Sequence, residues 1–484
     1  MGTRRFGIVS ERAALRGNEL VQISEMGIML TSDPSTGEVL GKFLDMDVRE
    51  AEERIERAYK AFQRFSQTTP QLRADILDRF HGLMQEKKDD LARIITLENG
   101  KCLRDSLAEV SYAASYLQWN AGEALRMYGR TIPSSLPGTR NYTVLEPVGV
   151  VAALCPWNFP MGMICRKVGP ALAVGATVVI KCPAETPRSV LSLLELARAA
   201  GVPDDVIQVI TTDTHLVDIG RELCTNKKVK KISFTGSTAV GKILMNQASS
   251  SLKKLSFELG GNAPFIVFGD ADVERAVAGA IACKFRGAGQ TCVCANRLYV
   301  HEDVYAEFSA KLAAAVDELV MGPGLQPNVT IGPLIHTKAV AKCFQHVEDA
   351  VSKGAKVLTK PRGDHGPCFF APTVLGDVPR DCVIMDEETF GPVAALVKFS
   401  SEDEVIALAN DTDMGLAGYF FTADAAKVER VSKALQVGMV GVNTGVISQA
   451  VIPFGGIKES GFGKEGGSEA ILDFCTIKTV IIAG

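Results

Sequence analysis

The segment Val148-Gly-Val-Val-Ala-Ala-Leu154 is followed by a helical stretch and then by a second apolar run, Thr177-Val-Val-Ile-Lys181. Two further apolar runs, Val206 to Ile210 and Lys231 to Phe234, continue this alternation of strand and helix. Such alternation is typical of a doubly wound α/β domain, in which a parallel sheet carries helices on both faces. Ligands of these domains bind beyond the carboxyl ends of the strands.

A second alternating region begins near Pro264. Its strand candidates are Phe265 to Phe268, Arg297 to Val300, Ala394 to Phe399, Gly418 to Phe421 and Val437 to Val442, with helices over Val273 to Phe285 and Val304 to Leu319. The pattern predicts a second α/β domain, and a cleft between two such domains is a usual place for a ligand site. A chain of 484 residues is long enough for two or three domains.

The residues before this alternation are mainly helical. Asp47 and Glu50 predict a capping box, and one helical face follows it. That face comprises Ala51, Ile55, Ala58, Tyr59 and Phe62. Further helices are predicted through Leu72 to Leu97 and Lys101 to Tyr116, and prolines and Gly138 then favour a projecting hairpin over Ile132 to Val144.

Composition excludes several classes of protein. A net charge of −4 gives no electrostatic footprint for nucleic acid or for an anionic membrane. Twelve scattered cysteines and six dispersed histidines form neither a disulfide framework nor a metal-ligand spacing, which favours a reducing compartment. The uncharged run Pro147 to Cys165 is interrupted by prolines, and it fits a buried strand, loop and helix start better than a membrane span.

The first residues bear on localisation. They lack the apolar core of a signal peptide. Arginines at Arg4, Arg5, Arg12 and Arg16 suggest an organelle presequence, and Glu11 and Glu19 argue against one. We therefore expect a cytoplasmic protein, with the mitochondrial matrix as the alternative.

Two stretches carry the chemistry. Gly287 to Arg297 reads Gly-Ala-Gly-Gln-Thr-Cys-Val-Cys-Ala-Asn-Arg, and Phe257 to Asn262 reads Phe-Glu-Leu-Gly-Gly-Asn. Glu258 lies 34 residues before Cys292. Together these stretches resemble the nucleophile and carboxylate motifs of the aldehyde dehydrogenase superfamily. The resemblance extends over nearly the whole chain, from about Pro34 to the motif Pro453 to Gly461.

The resemblance implies a mechanism in which a thiolate attacks an aldehyde and a hydride then leaves for a nicotinamide. It implies that Cys292 is the nucleophile, that the side-chain amide of Asn158 stabilises the oxyanion, and that Glu258 activates the water that cleaves the thioester. Taken singly, Asn158 reads as a turn residue between prolines and Glu258 as a surface carboxylate. Glu258 favours release of a free acid, because relatives that transfer the acyl group to coenzyme A commonly lack it.

A nicotinamide dinucleotide is the implied cofactor, although the GxGxxG motif is missing. The residues that the resemblance assigns to it are Trp157, Lys181, Ala184, Gly236, Ser237, Glu388 and Phe390. Backbone N–H groups of Gly236 and Ser237 would face a phosphate at a helix start, where a plain tight turn is the alternative. Ala184 stands where NAD-preferring members place a glutamate, which favours NADP or dual use. Arg188 is too uncertain to assign to the 2′-phosphate.

Within the family, the chain most resembles the succinic semialdehyde dehydrogenase branch. Arg166, Arg286 and Ser448 match positions that bind the carboxylate at the far end of the substrate in that branch. Each arginine taken singly is equally an ion-pair or surface residue. Cys294 is either an inert buried thiol or a redox partner that forms a strained disulfide with Cys292.

The resemblance also implies a domain division. Residues 1–131 and 149–257 form the cofactor-binding domain, 258–450 the catalytic domain, and 132–148 with 470–484 the segments that join subunits into a homodimer or homotetramer. The apolar tail Thr476 to Ala483 is expected to pair between subunits. The rival functions are oxidation of glutarate semialdehyde or of a broad range of aldehydes, and an inactive protein of the same fold.

Overall fold

The computed structural model describes residues 13–16, 19–22 and 27–484. The strands are β1 Ala13–Arg16, β2 Glu19–Gln22, β3 Ile28–Ser32, β4 Val39–Leu44, β5 Thr131–Ile132, β6 Thr139–Pro147, β7 Val150–Leu154, β8 Thr177–Lys181, β9 Ile207–Ile210, β10 Val229–Thr235, β11 Lys254–Glu258, β12 Ala263–Val267, β13 Ala295–His301, β14 Lys356–Val357, β15 Thr373–Gly376, β16 Val393–Phe399, β17 Met414–Gly415, β18 Ala417–Phe421, β19 Met439–Val442, β20 Ile457–Lys458, β21 Gly461–Phe462 and β22 Cys475–Ala483.

The helices are α1 Val48–Phe65, α2 Pro70–Glu86, α3 Lys88–Asn99, α4 Leu103–Ala124, α5 Pro160–Val174, α6 Pro187–Ala199, α7 Leu216–Thr225, α8 Thr238–Ala248, α9 Val273–Lys284, α10 Glu302–Asp317, α11 Thr337–Ser352, α12 Val383–Asp386, α13 Glu402–Asn410, α14 Ala425–Ala434 and α15 Glu469–Asp473. Within the described ranges, none of these helices is long and apolar enough to cross a membrane. Arg4, Arg5, Glu11 and Arg12, on which the presequence question depends, lie outside the described residues.

The first large sheet has the order β21-β11-β10-β7-β8-β9 and is parallel except for the edge strand β21. The two faces of β7 explain why its sequence is continuously apolar. Val150, Ala152 and Leu154 pack against α1, α7 and α8, whereas Val151 and Ala153 pack against α2, α4 and α5. The predicted doubly wound sheet is confirmed, and the run from Pro147 is a strand, a loop and the start of α5.

The second large sheet has the order β14-β15-β16-β13-β12-β18-β19 and is parallel except for β14. All five predicted strands of this region are present with ends shifted by one or two residues. In this sheet β14 and β15 were not predicted, and in the first sheet β11, which ends at Glu258, and β21 were not. The α/β class with two parallel-sheet layers is therefore confirmed.

The helical start follows the predicted pattern with one correction. The capping box is confirmed, since Asp47 accepts the Glu50 N–H at 3.0 Å and the Glu50 carboxylate accepts the Asp47 N–H at 3.1 Å. Tyr59 and Phe62 are not on the buried face of α1; Ala61 and Phe65 complete it. The reason is geometric, because 3.6 residues per turn carry the apolar stripe from Ala58 to these two positions.

The predicted hairpin is confirmed as the antiparallel pair β5 and β6. The tail strand β22 pairs with β6 along its whole length, from Cys475 opposite Pro147 to Ala483 opposite Thr139. The tail therefore pairs with the hairpin of its own chain. Pairing between subunits through the remaining edges of this sheet stays a prediction.

Candidate active site

Cys292 lies in the loop that leads from α9 into β13, and it is half-buried. Gly287, Ala288 and Gly289 precede it with φ values of 57°, 55° and 75°, a left-handed run that folds the loop back on itself. The N–H of Gly287 is held by the carboxylate of Asp105 at 2.9 Å. A β-carbon added at Gly261 would lie 2.4 Å from the Cys292 carbonyl oxygen, so the glycine lets the two motifs meet.

Glu258 ends β11 and is 2% exposed. Its Oε2 atom has no hydrogen-bond partner among the described residues. Burial raises the pKa of this carboxyl well above its usual range, and the neighbouring Glu465 raises it further, against the opposing effect of Arg166 and Lys167. A side chain at position 455 would collide with the Glu258 carboxylate at 2.6 Å, which explains Gly455. A buried, unpartnered carboxyl with a raised pKa suits a general base that must accept a proton.

Asn158 lies in the loop between β7 and α5 and is 5% exposed. Its Nδ2 donates to the carbonyl oxygen of Gln290 at 3.0 Å, and its Oδ1 accepts the Phe159 N–H at 3.1 Å. A primary amide has two N–H groups. The bond to Gln290, two residues before Cys292, therefore fixes the amide and leaves one N–H for an oxyanion.

The thiol of Cys292 differs from the sequence-based expectation. The mechanism asks for a cysteine of low pKa, yet burial raises the pKa of Cys292 to about 12, with only Arg166 acting against it and Glu388 and Glu258 adding to it. Burial thus favours the neutral thiol over the thiolate. Formation of the thiolate therefore requires a base.

Five of the seven residues assigned to the cofactor follow or end strands at the carboxyl edge of the first sheet, where β7, β8 and β10 end. Lys181 closes β8, Trp157 follows β7, and Gly236 follows β10. Ser237 is exposed and caps α8, where its Oγ accepts the Val240 N–H at 3.4 Å. A β-carbon at Gly236 would lie 2.4 Å from the Phe234 ring, so only glycine fits this turn. An open helix start beside a sheet edge fits a dinucleotide phosphate.

The loop that contains Glu388 closes the site from the second sheet. The Glu388 carboxylate accepts the Gly261 N–H at 3.5 Å, and burial raises the pKa of this carboxyl to about 7. Phe390 has a φ of 52° and packs edge-on against Trp157, with ring centroids 5.8 Å apart. This ring contact joins the loop after β7 of the first sheet to the loop before β16 of the second.

Ala184 is half-buried, and its carbonyl oxygen accepts the Thr31 hydroxyl at 3.2 Å. Arg188 is turned toward β4, where its guanidinium donates to the Leu40 carbonyl at 2.5 Å. The contacts of Arg188 therefore do not mark it as a phosphate ligand.

The three residues assigned to the substrate carboxylate differ in their surroundings. Arg166 is 1% exposed and forms an ion pair with Glu465 at 2.6 Å, with its guanidinium 4.0 Å from the Phe454 ring centroid. Arg286 is half-buried with its guanidinium 5.6 Å from the Phe159 ring, and its Nε has no hydrogen-bond partner among the described residues. Ser448 is half-buried in the loop after β19.

Sequence reasoning missed two buried residues of this region, Lys167 and Glu465. Lys167 donates to the Thr235 hydroxyl at 2.7 Å and forms an ion pair with Glu465. The only sequence signal was a pair of adjacent cations in the otherwise apolar helix α5, which predicts a buried carboxylate somewhere in the chain. The position of that carboxylate is not readable from the sequence.

Cys294 is buried, and its thiol donates to the Cys283 carbonyl at 3.1 Å, on the α9 side of the loop. Both Cys292 and Cys294 are free cysteines. A disulfide between them would require the Cys294 thiol to leave this contact. The redox role of Cys294 stays a prediction.

Comparison with known proteins gives a consistent family. A family model described as the aldehyde dehydrogenase family matches residues 23–480. The chain is 50% identical over 473 residues to a glutarate-semialdehyde dehydrogenase of Pseudomonas putida, with 98% of each chain covered. It is 51% identical over 452 residues to a succinate-semialdehyde dehydrogenase [NADP(+)] of Escherichia coli, with 93% of each covered. A crystal structure of succinate-semialdehyde dehydrogenase from Burkholderia pseudomallei matches with a TM-score of 0.95 at 48% identity, covering 98% of both chains.

Proposed function

The chain belongs to the aldehyde dehydrogenase family, and we propose that it oxidises succinic semialdehyde to succinate with NADP as the preferred cofactor. The observation that carries the proposal is the half-buried side chain of Arg286, which lies six residues before Cys292 and whose Nε has no hydrogen-bond partner among the described residues. A cation of this kind just before the loop of the nucleophile favours a substrate with a terminal carboxylate. The E. coli relative named above acts on such a substrate with NADP(+) by its name.

The chemistry divides between two carboxylate-assisted steps. The carboxylate of Glu258 takes the thiol proton of Cys292 and releases it to solvent. The sulfur attacks the aldehyde carbon, which places the oxyanion at the second N–H of the Asn158 amide and the backbone N–H of Cys292. A nicotinamide held by Trp157, Glu388 and Phe390 would supply the acceptor for the hydride of this carbon, so that a thioester would remain on Cys292. Glu258 then takes a proton from water as the water attacks the thioester, and the free acid leaves.

Glutarate semialdehyde is the second candidate substrate, and the P. putida relative with that name supports it. The two substrates differ by one methylene, which typically discriminates by only about 1–3 kcal/mol. An inactive protein of the same fold is disfavoured because Cys292, Glu258 and Asn158 are all retained.

The test is steady-state oxidation of succinic semialdehyde, glutarate semialdehyde and butanal, each with NADP and with NAD. Butanal matches succinic semialdehyde in length and lacks its carboxylate. We expect the highest kcat/KM for succinic semialdehyde with NADP. Equal values for the semialdehyde and butanal would reject a carboxylate-specific site while leaving the dehydrogenase chemistry in place.

Arg286→Met is expected to lower kcat/KM for succinic semialdehyde about 10- to 100-fold, because a charge-assisted hydrogen bond contributes about 1.5–3 kcal/mol. The methionine retains the apolar stem that packs near Phe159. Oxidation of butanal by the same variant is the control and should be unchanged. Equal losses on both aldehydes would mean that Arg286 supports the loop rather than the substrate.

Ala184→Glu is expected to shift the enzyme from NADP toward NAD. A carboxylate at this position would face the 2′-phosphate of NADP, and like charges in contact cost several kcal/mol, so kcat/KM for NADP should fall roughly 100-fold. Ala184→Gln adds a similar volume without charge and is the matched control. A fall for NADP that the glutamine variant reproduces would indicate crowding rather than charge.

The remaining assignments are proposals of the same kind. We propose that 1–131 with 149–257 bind the cofactor, that 258–450 carry the nucleophile, and that 132–148 with 470–484 join subunits into a dimer or tetramer. Exposed Ile477 and Ile481 on the three-stranded sheet support the last point, since an exposed apolar patch marks an interaction surface. We propose the cytoplasm as the compartment, with the mitochondrial matrix as the alternative.

A further inference from the structure

Beneath the Asn158 loop lies an ion pair that the steps above do not use. Lys101, which precedes α4, and Glu109, within α4, are 4% and 1% exposed. The Lys101 Nζ lies 2.6 Å from Oε2 of Glu109. Replacing a buried ion pair by apolar groups is often neutral or stabilising, so stability alone is a weak reason for charges at this depth. Their other contacts indicate a different role.

Lys101 reaches the Asn158 loop directly. Its Nζ donates a second hydrogen bond to the main-chain carbonyl of Asn158 at 2.5 Å and lies 4.0 Å from the ring centroid of Phe159. A lysine ammonium has three donors and no acceptor. The carboxylate, the carbonyl and the ring face together surround it, so the ammonium is held in one place.

Glu109 holds the other side of the same loop. Its Oε1 accepts the backbone N–H groups of Met161 and Gly162, at 3.0 Å and 3.3 Å, in the first turn of α5. A carboxylate is favourable at a helix N-terminus, where N–H groups lack internal partners. The ion pair therefore fixes the chain on both sides of Phe159, through the Asn158 carbonyl and through the start of the helix.

The amide of Asn158 is fixed separately by its bond to the Gln290 carbonyl. Asn158 is thus held at its backbone by Lys101 and at its side chain by the loop that contains Cys292. The direction of the remaining amide N–H depends on both contacts. An error of about 1 Å in such a group is enough to cost about 100-fold in rate.

We infer that Lys101, held in place by its ion pair with Glu109, is a positioning residue for the oxyanion site. It orients the Asn158 amide so that the amide N–H donates to the carbonyl oxygen of the substrate. The inference rests on the proposed function, because it gives Asn158 the role of oxyanion donor. It predicts an effect on the hydride-transfer step and none on binding of the cofactor.

The test is a double-mutant cycle that pairs Lys101→Met with Asn158→Ala, read as the single-turnover rate constant for cofactor reduction by succinic semialdehyde. Loss of an oxyanion donor typically costs 10²–10³-fold, so we expect about 10- to 100-fold for Lys101→Met alone. In the Asn158→Ala background no side-chain amide is left to position. There, the additional decrease in the rate constant caused by Lys101→Met should be no more than about 3-fold. The Kd of the cofactor should stay at the wild-type value in each variant.

Two additional variants keep the test decisive. Lys60→Met removes an exposed lysine from α1 and should leave the rate constant unchanged. Lys101→Met can leave Glu109 as an unpaired buried charge and prevent folding. In that event Lys101→Met/Glu109→Gln, which removes both charges, takes its place in the cycle with the same expected result.

The contrary outcomes separate the two proposals. An unchanged rate constant in Lys101→Met, or an equal loss in both backgrounds, overturns the positioning role. A wild-type rate constant in Asn158→Ala overturns the oxyanion assignment itself and the inference with it. Absence of cofactor reduction by the wild-type protein overturns the proposed substrate.

Discussion

Cys292→Ala is expected to lower kcat/KM for aldehyde oxidation by about 10⁴-fold or more, as removal of a catalytic nucleophile does in other covalent mechanisms. Without the sulfur, the aldehyde carbon cannot become the tetrahedral centre from which the hydride departs. Because Cys292 is only half-buried, its replacement by alanine should leave the packing of the hydrophobic core in place. The measurement is steady-state oxidation of succinic semialdehyde with NADP.

Cofactor affinity and a second cysteine provide the controls for Cys292→Ala. The Kd for NADP should be unchanged, because Cys292 is not among the residues proposed to bind the dinucleotide. Cys368→Ala removes another half-buried thiol, one outside the site, and should retain wild-type turnover. Substantial oxidation by Cys292→Ala would reject covalent catalysis by this residue.

Glu258→Gln is expected to separate the two halves of the reaction. The glutamine cannot take a proton from water, so steady-state turnover should fall about 10²- to 10⁴-fold. The experiment is a stopped-flow record of NADPH, in which about one equivalent per site should still form in the first turnover if another base removes the thiol proton. A burst followed by slow turnover assigns Glu258 to thioester hydrolysis, whereas loss of the burst as well assigns it to activation of Cys292.

The raised pKa of Glu258 also fixes the direction of the pH dependence. The base works only when it is ionised, and burial favours the neutral acid. Wild-type kcat should therefore fall as the pH drops through this raised pKa and rise on the alkaline side. This fall of activity toward acidic pH should be absent from the residual activity of Glu258→Gln. If the variant retained the fall, the titrating group would be a different one, such as Glu388, whose pKa is raised to about 7.

The sequence predicted the parts of the fold that depend on local pattern. Thr177 to Lys181 matches β8 at both ends, because β-branched residues between a helix and a turn leave little ambiguity. β11 was missed since its residues Lys254 to Glu258 have no apolar run of their own. Its pairing with β10 on one side and β21 on the other decides its conformation.

Residues of the candidate site could be predicted when they belong to a contiguous sequence motif. They could not be predicted when only contacts between distant segments bring them into the site. The stretches around Cys292 and Glu258 are short and distinctive. The Arg166–Glu465 pair, by contrast, joins residues almost 300 positions apart, and a single sequence contains no information on which buried charges meet. The same holds for the low pKa expected of Cys292, because desolvation depends on packing that the sequence does not display.

The Arg166–Glu465 pair has a consequence for biosynthesis. Arg166 and Lys167 leave the ribosome almost 300 residues before their shared carboxylate does. At a translation rate of about 5–20 residues per second, that interval is roughly 15–60 s. During it, Arg166 and Lys167 lack Glu465, the carboxylate with which both form ion pairs, and the edge strand β21 has not yet been made. The buried ion pairs of the first sheet are therefore completed only after the whole second sheet has been synthesised.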